Sequence, residues 1–209
     1  MKKKIYLFNV IPLLTIKKDS SQKKFLLFNA LPIITIKQKE IKGNTYVANA
    51  YDNEWTQYNY ATCAKVGKKL YCGGKTVLSK NTYLGDYVCF NGCEIHGAGK
   101  VTIGNNFHSG VELLIITQNH NYDSGSEIPY ASDDYVYKDV TIGDFVWIGS
   151  RVMILPGTKI GKGAIIQGGA VVHGEIPPYA IAGGNPAKVF KYRDKKHFDE
   201  LEKNKQYKH

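Results

Sequence analysis

An apolar residue returns at every sixth position through much of this 209-residue chain. With one extra residue near His96 and an interruption after His120, the register gives sixteen six-residue units, fourteen of which start with an apolar residue. A period of six is neither the helical period of 3.6 nor the strand period of two alone. It suits a short strand followed by a corner, and three such units close one triangular coil. The sequence therefore predicts an all-β fold, a parallel β-helix of about five coils over residues 66–187. The predicted inward positions are Val66, Cys72, Leu78, Leu84, Phe90, Gly97, Ile103, Ser109, Ile115, Val136, Ile142, Ile148, Ile154, Ile160, Ile166 and Val172.

The two ends of the chain fall outside this repeat. Residues 4–17 recur as residues 24–37 with eight of fourteen positions identical, and each copy is apolar, flanked by Lys and interrupted by Pro. Because Pro disfavours a continuous helix, we expect short extended pieces in an N-terminal extension, residues 1–65, that caps one end of the solenoid. Residues 188–209 contain the helix-like HFDELEKNK and are predicted to form a helical tail.

The net charge of +10 is concentrated at these ends, with +7 in residues 1–40 and +4 in residues 188–209. Arg is almost absent and the basic residues do not spread along one surface, so we expect no nucleic-acid partner. Residues 1–40 either form packing hairpins or rest on the anionic inner face of a membrane. The four Cys show no CxxC pair, which predicts neither zinc nor disulfides and favours a cytoplasmic protein.

The run VTIGDFVWIGSRVMILPGTKIGKGAIIQGGAVVHGEIPPYAIAGGNPAKVFKYR (140–193) resembles the hexapeptide-repeat acyltransferases. The VWIG unit and the closing IPPYAIAGGNPAKV are most similar to their galactoside, xenobiotic and polysaccharide O-acetyltransferase branch, and the resemblance covers residues 66–193. It implies a left-handed β-helix, a homotrimer, and acetyl-CoA bound between neighbouring subunits as a co-substrate without a metal. The activity that it implies is O-acetylation of a saccharide in surface-polysaccharide assembly.

The repeat breaks once, at the insertion NYDSGSEIPYASDDY (121–135). Because the register holds on both sides, we expect a loop that protrudes from a rigid scaffold. His120 is its last preceding residue, and neutral imidazole suits deprotonation of a hydroxyl near pH 7. In the family the catalytic base lies at the end of this coil, so the resemblance assigns that role to His120. Loop side chains that could bind sugar hydroxyls, or simply be solvated, are Tyr122, Asp123, Tyr130, Asp133, Asp134 and Tyr135.

The resemblance assigns further positions residue by residue. Asn91 is the nearest match to an Asn beside the acceptor and thioester, and it is the predicted substrate-binding residue. Trp147 matches the aromatic wall of the pantetheine channel. His173 and Gly174 stand where the family often has Thr-Lys, so a phosphate contact is expected to be lost there. The full set of predicted cofactor-binding residues is Trp147, Ser150, Gly168, His173, Gly174, Lys188 and Lys191.

Three other functions stay open on the sequence alone. The chain could be an N-acetyltransferase acting on an amino sugar. His96, His108 and His120 could bind zinc as in the carbonic anhydrases that share this fold, although ligands on one face should lie about eighteen residues apart. A non-enzymatic β-helix scaffold would carry the same repeat.

Overall fold

The computed structural model describes residues 2–7, 11–18, 22–27, 31–37 and 53–207. The parts of the predicted N-terminal extension at residues 8–10, 19–21, 28–30 and 38–52 lie outside the described residues. The chain divides into two compact units, Met1–Val47 and Ala48–His209, and each is described by itself. Neither of the described helices has the length and apolar character that crossing a lipid bilayer requires.

The N-terminal unit contains a four-stranded antiparallel sheet whose strands pair in chain order. The strands are β1 (Lys2–Leu7), β2 (Ile11–Lys18), β3 (Gln22–Leu27) and β4 (Leu31–Lys37). The pairing shifts between Ile5 and Tyr6 in the first hairpin and between Phe25 and Leu26 in the second, twenty residues later. The duplicated sequence thus forms two hairpins with the same irregularity, in line with the short extended pieces that Pro predicts.

The second unit contains a parallel β-helix, as the six-residue period predicts. Its strands form three parallel sheets, which we call sides 1, 2 and 3 in the order in which each turn visits them. Side 1 contains β7 (Thr82–Leu84), β10 (Val101–Ile103), β15 (Val140–Ile142), β18 (Lys159–Ile160) and β21 (Glu175–Ile176). Side 2 contains β5 (Tyr71–Cys72), β8 (Cys89–Phe90), β11 (His108–Ser109), β16 (Trp147–Ile148), β19 (Ile165–Ile166) and β22 (Ala180–Gly183). Side 3 contains β6 (Thr76–Val77), β9 (Cys93–His96), β12 (Leu113–Ile116), β17 (Met153–Ile154) and β20 (Val171–Val172). The described strands amount to about six turns, the last one incomplete, where the repeat predicted about five.

Thirteen of the sixteen predicted inward positions are at most 2% exposed, so the stacked aliphatics form the core. Val66 is only half-buried. Gly97 was predicted wrongly, because β9 turns Ile95 inward opposite Ile115. Val136 was also predicted wrongly and is 42% exposed. It belongs to an antiparallel hairpin, β13 (Gln118–His120) with β14 (Tyr135–Tyr137), that leaves the solenoid.

The corner between sides 1 and 2 is held by a stack of side-chain acceptors. Oδ1 of Asp86 accepts from the N–H of Lys68 (2.9 Å), and Oδ1 of Asn105 accepts from the N–H of Asp86 (2.8 Å). Oδ1 of Asp144 accepts from the N–H of Asn105 (2.6 Å) across 39 residues of sequence, compared with 18 and 19 for the other two bonds. The inserted loop therefore leaves the stacking of successive turns intact.

Helix α1 (Glu54–Thr62) closes the first turn with polar side chains. Asn59 is fully buried, and its Nδ2 donates to the Thr76 carbonyl (2.9 Å) while its Oδ1 accepts from the Leu78 N–H (3.0 Å). Thr56 Oγ1 accepts from the Cys72 N–H (3.1 Å). These groups satisfy backbone donors and acceptors that have no preceding turn to pair with, so α1 caps this end of the solenoid.

The tail closes the other end as strand and helix. Strand β23 (Lys188–Tyr192) pairs antiparallel with β22, where a helical tail was predicted. The difference follows from the open edge of β22 and from the β-favouring Val189 and Phe190. Helix α2 (Lys195–Lys203) then buries Phe198, so the predicted C-terminal helix is confirmed over this shorter range.

Candidate active site

The imidazole of His120 is oriented by the loop that it precedes. Its Nδ1 lies 3.3 Å from the carbonyl oxygen of Ala131. Because a carbonyl oxygen can only accept, this contact assigns the proton to Nδ1. Nε2 then carries the lone pair, and no hydrogen-bond partner for it occurs among the described residues. This tautomer can act as a general base.

Two tyrosine rings pack against the same imidazole. The ring centroid of Tyr130 lies 4.1 Å away with an interplanar angle of 26°, and that of Tyr135 lies 4.5 Å away at 36°. Tyr135 is brought there by the hairpin register, in which it pairs directly with His120. The Ala131 N–H donates to the Asn121 carbonyl (2.9 Å), which fixes the carbonyl that receives Nδ1–H. The sequence placed both tyrosines in the loop but did not indicate that they contact His120.

A second group of predicted residues lies on side 2. Trp147 is 53% exposed on its outer face, and its register neighbours are His108 and Ile165. Asn91 Nδ2 donates to the Ser109 carbonyl (2.9 Å) and lies 3.4 Å from His108 Nε2. The sequence indicates His108 only as a candidate zinc ligand. The six-residue register could have indicated its place in the same outward row as Trp147.

The corner between sides 2 and 3 brings two predicted residues together. The Ser150 carbonyl accepts from the Gly169 N–H (2.8 Å), and a Cβ on Gly168 would lie 3.1 Å from that carbonyl oxygen. The close approach therefore favours Gly at position 168. Lys188 and Lys191 are exposed on β23, which extends side 2 beyond β22.

The remaining predicted residues lie elsewhere. His173 and Gly174 follow side 3 and precede side 1, and the His120 hairpin leaves from this same corner two turns earlier. In a three-sided coil, the corner between sides 3 and 1 is opposite side 2. One copy of the chain therefore does not bring His120 and Trp147 to one site.

The three histidines considered as zinc ligands are also separated. His96 ends a strand of side 3, His108 lies on side 2, and His120 is in the hairpin. Within the part of the chain that the structure describes, no three His, Cys, Asp or Glu residues are grouped to hold a metal ion. The twelve-residue spacing thus separates the imidazoles, as the eighteen-residue turn predicts.

The four cysteines are free thiols. Burial raises the pKa of Cys63 to about 12 and that of Cys89 to about 11, with a smaller contribution from Cys72. The pKa of Cys93 is also raised well above its usual range by burial. Because the thiolate is the nucleophilic form, these thiols are poorly suited to carry an acyl group.

Comparison with known proteins agrees with this architecture. The family described as "Bacterial transferase hexapeptide (six repeats)" matches residues 139–174. A chloramphenicol acetyltransferase from Agrobacterium fabrum is 32% identical over 148 residues, which cover 57% of this chain and 71% of that protein. The putative lipopolysaccharide biosynthesis O-acetyl transferase WbbJ from Escherichia coli K12 is 34% identical over 134 residues, covering 60% of this chain and 66% of that protein.

A solved structure of a galactoside acetyltransferase in complex with coenzyme A superposes with a TM-score of 0.55 and 29% identity. The superposition covers 65% of this chain and 68% of that one. For the chloramphenicol acetyltransferase of Klebsiella aerogenes, the match spans about half (47%) of that protein's length. From the repeat, the solenoid and these similarities together, the chain belongs to the hexapeptide-repeat transferase family.

Proposed function

We propose that this chain is an acetyl-CoA-dependent O-acetyltransferase that acts on a sugar hydroxyl. The observation that carries the proposal is the imidazole of His120, whose Nδ1–H is donated to the Ala131 carbonyl and whose Nε2 has no hydrogen-bond partner in the described part of the chain. Support for the acyl donor comes from the galactoside acetyltransferase solved with coenzyme A, and support for a glycan acceptor comes from that protein and WbbJ. The acceptor that we propose is a glycan of a surface polysaccharide.

In the proposed reaction, Nε2 of His120 takes the proton of the acceptor hydroxyl as its oxygen attacks the thioester carbonyl. The C–S bond then breaks, and the acetyl group stays bonded to the sugar oxygen. CoA departs as the thiolate, which takes up the proton that His120 holds. No covalent enzyme intermediate is needed. The stacking of Tyr130 and Tyr135 limits rotation of the imidazole, so little ordering is required during the reaction.

We further propose that the site forms between two copies of the chain in a homotrimer. His120 lies at the corner opposite the side that carries Trp147, and Ser150 and Gly168 lie at a different corner, so a second copy is needed to bring the base to this group. A contact between two different surfaces of identical chains closes into a ring when the rotation allows it. Acetyl-CoA would lie against Trp147 and the corner of Ser150 and Gly168, with Lys188 and Lys191 as charges for its phosphates. Asn91 would face the acceptor, and His173 and Gly174 would approach the same groove from the neighbouring copy.

The activity is tested by release of CoA thiol and by acceptor mass after incubation of a glycan panel with acetyl-CoA. The proposal expects His120→Ala to lower the rate by about 10²-fold or more without changing the oligomer. His197→Ala is the matched control, since this exposed histidine is far along the chain on α2. If the parent transfers no acetyl group, or if His120→Ala is as active as the parent, the proposed function is wrong. Resistance of the acetylated product to mild alkali would indicate an amide and favour the N-acetyltransferase alternative.

The shared site is tested by co-expression of His120→Ala and Trp147→Ala chains. If the base and the tryptophan of one site come from different copies, every mixed trimer regains one intact site, and random assembly restores about a quarter of all sites. Co-expression of two differently tagged His120→Ala chains is the control and should restore none. Failure of the mixed preparation to gain activity over either parent would contradict a shared site.

A further inference from the structure

A cavity of about 250 Å³ lies at the base of the inserted loop. It is lined by Asn119, by loop residues 121–124, by Val136 and Lys138, and by Pro156 from the following turn. Its volume is below that of the sites that hold drug-sized ligands, so it suits a group of few ring atoms. None of the residues assigned to the proposed catalytic site lines it.

The cavity and the His120 imidazole lie on opposite faces of the β13–β14 hairpin. Side chains alternate along a strand, and the register pairs His120 with Tyr135 but Asn119 with Val136. The face of His120 is directed toward the preceding turn, because Gln118 Oε1 on that face accepts from the Ala98 N–H (3.2 Å). The face of Asn119 is directed toward Pro156 of the following turn. The cavity is therefore a separate place from the site of the base.

The wall of the cavity is formed by the loop's own hydrogen bonds. Nδ2 of Asn121 donates to Asp134 Oδ2 (2.7 Å) and to Ser124 Oγ (3.2 Å), and its Oδ1 accepts from the Ser124 N–H (3.1 Å). The Asn121 N–H also donates to the Asp134 carbonyl (2.9 Å). These bonds join the two ends of the loop, so the cavity is formed before any ligand binds.

Four polar groups around the cavity have no partner among the described residues: the Asn119 amide, the Tyr122 hydroxyl, the Asp123 carboxylate and the Lys138 ammonium. The single negative and single positive charge balance, which disfavours a highly charged anion or cation. Amide, carboxylate, ammonium and hydroxyl groups together offer both donors and acceptors, as a ring bearing several hydroxyls requires. Tyr122 is 73% exposed, and its aromatic ring offers an apolar face on which a sugar ring can pack.

We infer that this cavity binds one sugar ring of a glycan acceptor. The bound ring is a different sugar unit from the one whose hydroxyl receives the acetyl group. The inference rests on the proposed function, and it makes the acceptor an oligosaccharide or polymer rather than a single sugar. A two-stranded hairpin with its side chains is about 10 Å thick, so a chain of a few sugar units can reach both faces around its edge.

Binding is tested first without catalysis, in the full chain labelled with ¹³C at valine methyl groups. The Val136 methyl resonance, assigned through Val136→Ile, is followed during titration with lactose, maltotriose and N,N′-diacetylchitobiose. The inference expects a saturable shift with at least one of them, in the parent and in His120→Ala alike. The double variant Tyr122→Ala/Asp123→Ala should weaken that binding by about 10-fold or more. Asp133→Ala, an exposed loop carboxylate that does not line the cavity, should bind as the parent does.

A second measurement compares acceptors of different length, chosen from the glycans that gain an acetyl group. The double variant should lose about 10-fold in kcat/KM for an oligosaccharide and less than about 2-fold for its single-ring counterpart. An unchanged Val136 titration in the double variant, no saturable shift with any of the three sugars, or equal losses on short and long acceptors would each overturn the inference. Failure of the proposed function is distinguishable, since the parent would then transfer no acetyl group, or His120→Ala would be as active as the parent, whatever the Val136 titration shows.

Discussion

The cap of the solenoid at Asn59 gives the sharpest stability prediction. Asn59→Ala removes the acceptor of the Leu78 N–H and the donor to the Thr76 carbonyl. Both contacts are buried, and no other partner of the Leu78 N–H is found among the described residues. The Leu78 N–H left unsatisfied costs about 1–3 kcal/mol and the lost bond to the Thr76 carbonyl about 1 kcal/mol, so we expect a loss of about 2–4 kcal/mol.

The loss is measured by urea unfolding at fixed protein concentration, because assembly of copies adds to apparent stability. Hydrogen exchange gives a local readout, in which about 2–4 kcal/mol corresponds to faster exchange of the Leu78 amide by about 30- to 1,000-fold. Tyr58→Ala, on the exposed face of the same helix, is the matched control and should change stability far less. Equal unfolding and exchange in Asn59→Ala and the parent would refute the assignment of the cap to Asn59.

The charged counterpart Asn59→Asp adds a sign test. Its carboxyl would face the Trp55 and Thr76 carbonyls in a buried site, so burial and these acceptors should raise its pKa above the unfolded value of about 3.9. A raised pKa means that stability is retained at low pH, where the protonated carboxyl can donate. The deficit relative to the parent should therefore grow as the pH rises through that raised pKa, and a deficit that shrinks instead would contradict this placement.

Three further outcomes are expected. Ser109→Ala should raise the free energy of unfolding by about 1 kcal/mol in denaturant titration, because Ser109 Oγ is buried without a partner among the described side chains; a loss of stability would show that the hydroxyl is satisfied. Phe198→Ala should cost about 3 kcal/mol and expose α2 to proteolysis, because this ring packs edge-on against Phe145 and Tyr179; unchanged protease resistance would contradict it. Deletion of residues 1–40, with a net charge of +7, decides between the two alternatives for this segment: a segment that rests on a membrane predicts a shift from the membrane fraction to the soluble fraction, and packing hairpins predict identical fractionation.

The solenoid could be predicted from sequence because each strand of a β-helix needs an inward apolar side chain, and nearly every six-residue unit supplies one. The exceptions have local causes. Val136 matches the period by sequence but belongs to the hairpin, and strand pairing across the insertion is not visible in a six-residue pattern. Helix α1 could not be predicted as a cap, since the residues that it buries, Thr56 and Asn59, are polar and do not form the apolar stripe by which a packed helix is recognised in a sequence.

The candidate site likewise has features that follow from the sequence pattern and features that only the folded chain shows. The position of His120 follows from the break in the repeat, and the side-2 row of Trp147 follows from the register. The contacts of His120 with Ala131 and Tyr130 depend on how fifteen inserted residues fold back, which is set by hydrogen bonds such as those of Asn121. The opposition of His120 and Trp147 depends on the closure of the coil, which only the structure shows.

The stack from Asp86 through Asn105 to Asp144 is unbroken, so the stability of the solenoid does not depend on the inserted loop. The residues around the imidazole of His120 lie in that loop, which the pairing of the turns does not require. Transplanting the loop between relatives, or lengthening it, should therefore alter which acceptor is modified without a matching penalty in folding. A scaffold of this kind can diversify its chemistry by exchanging a single segment.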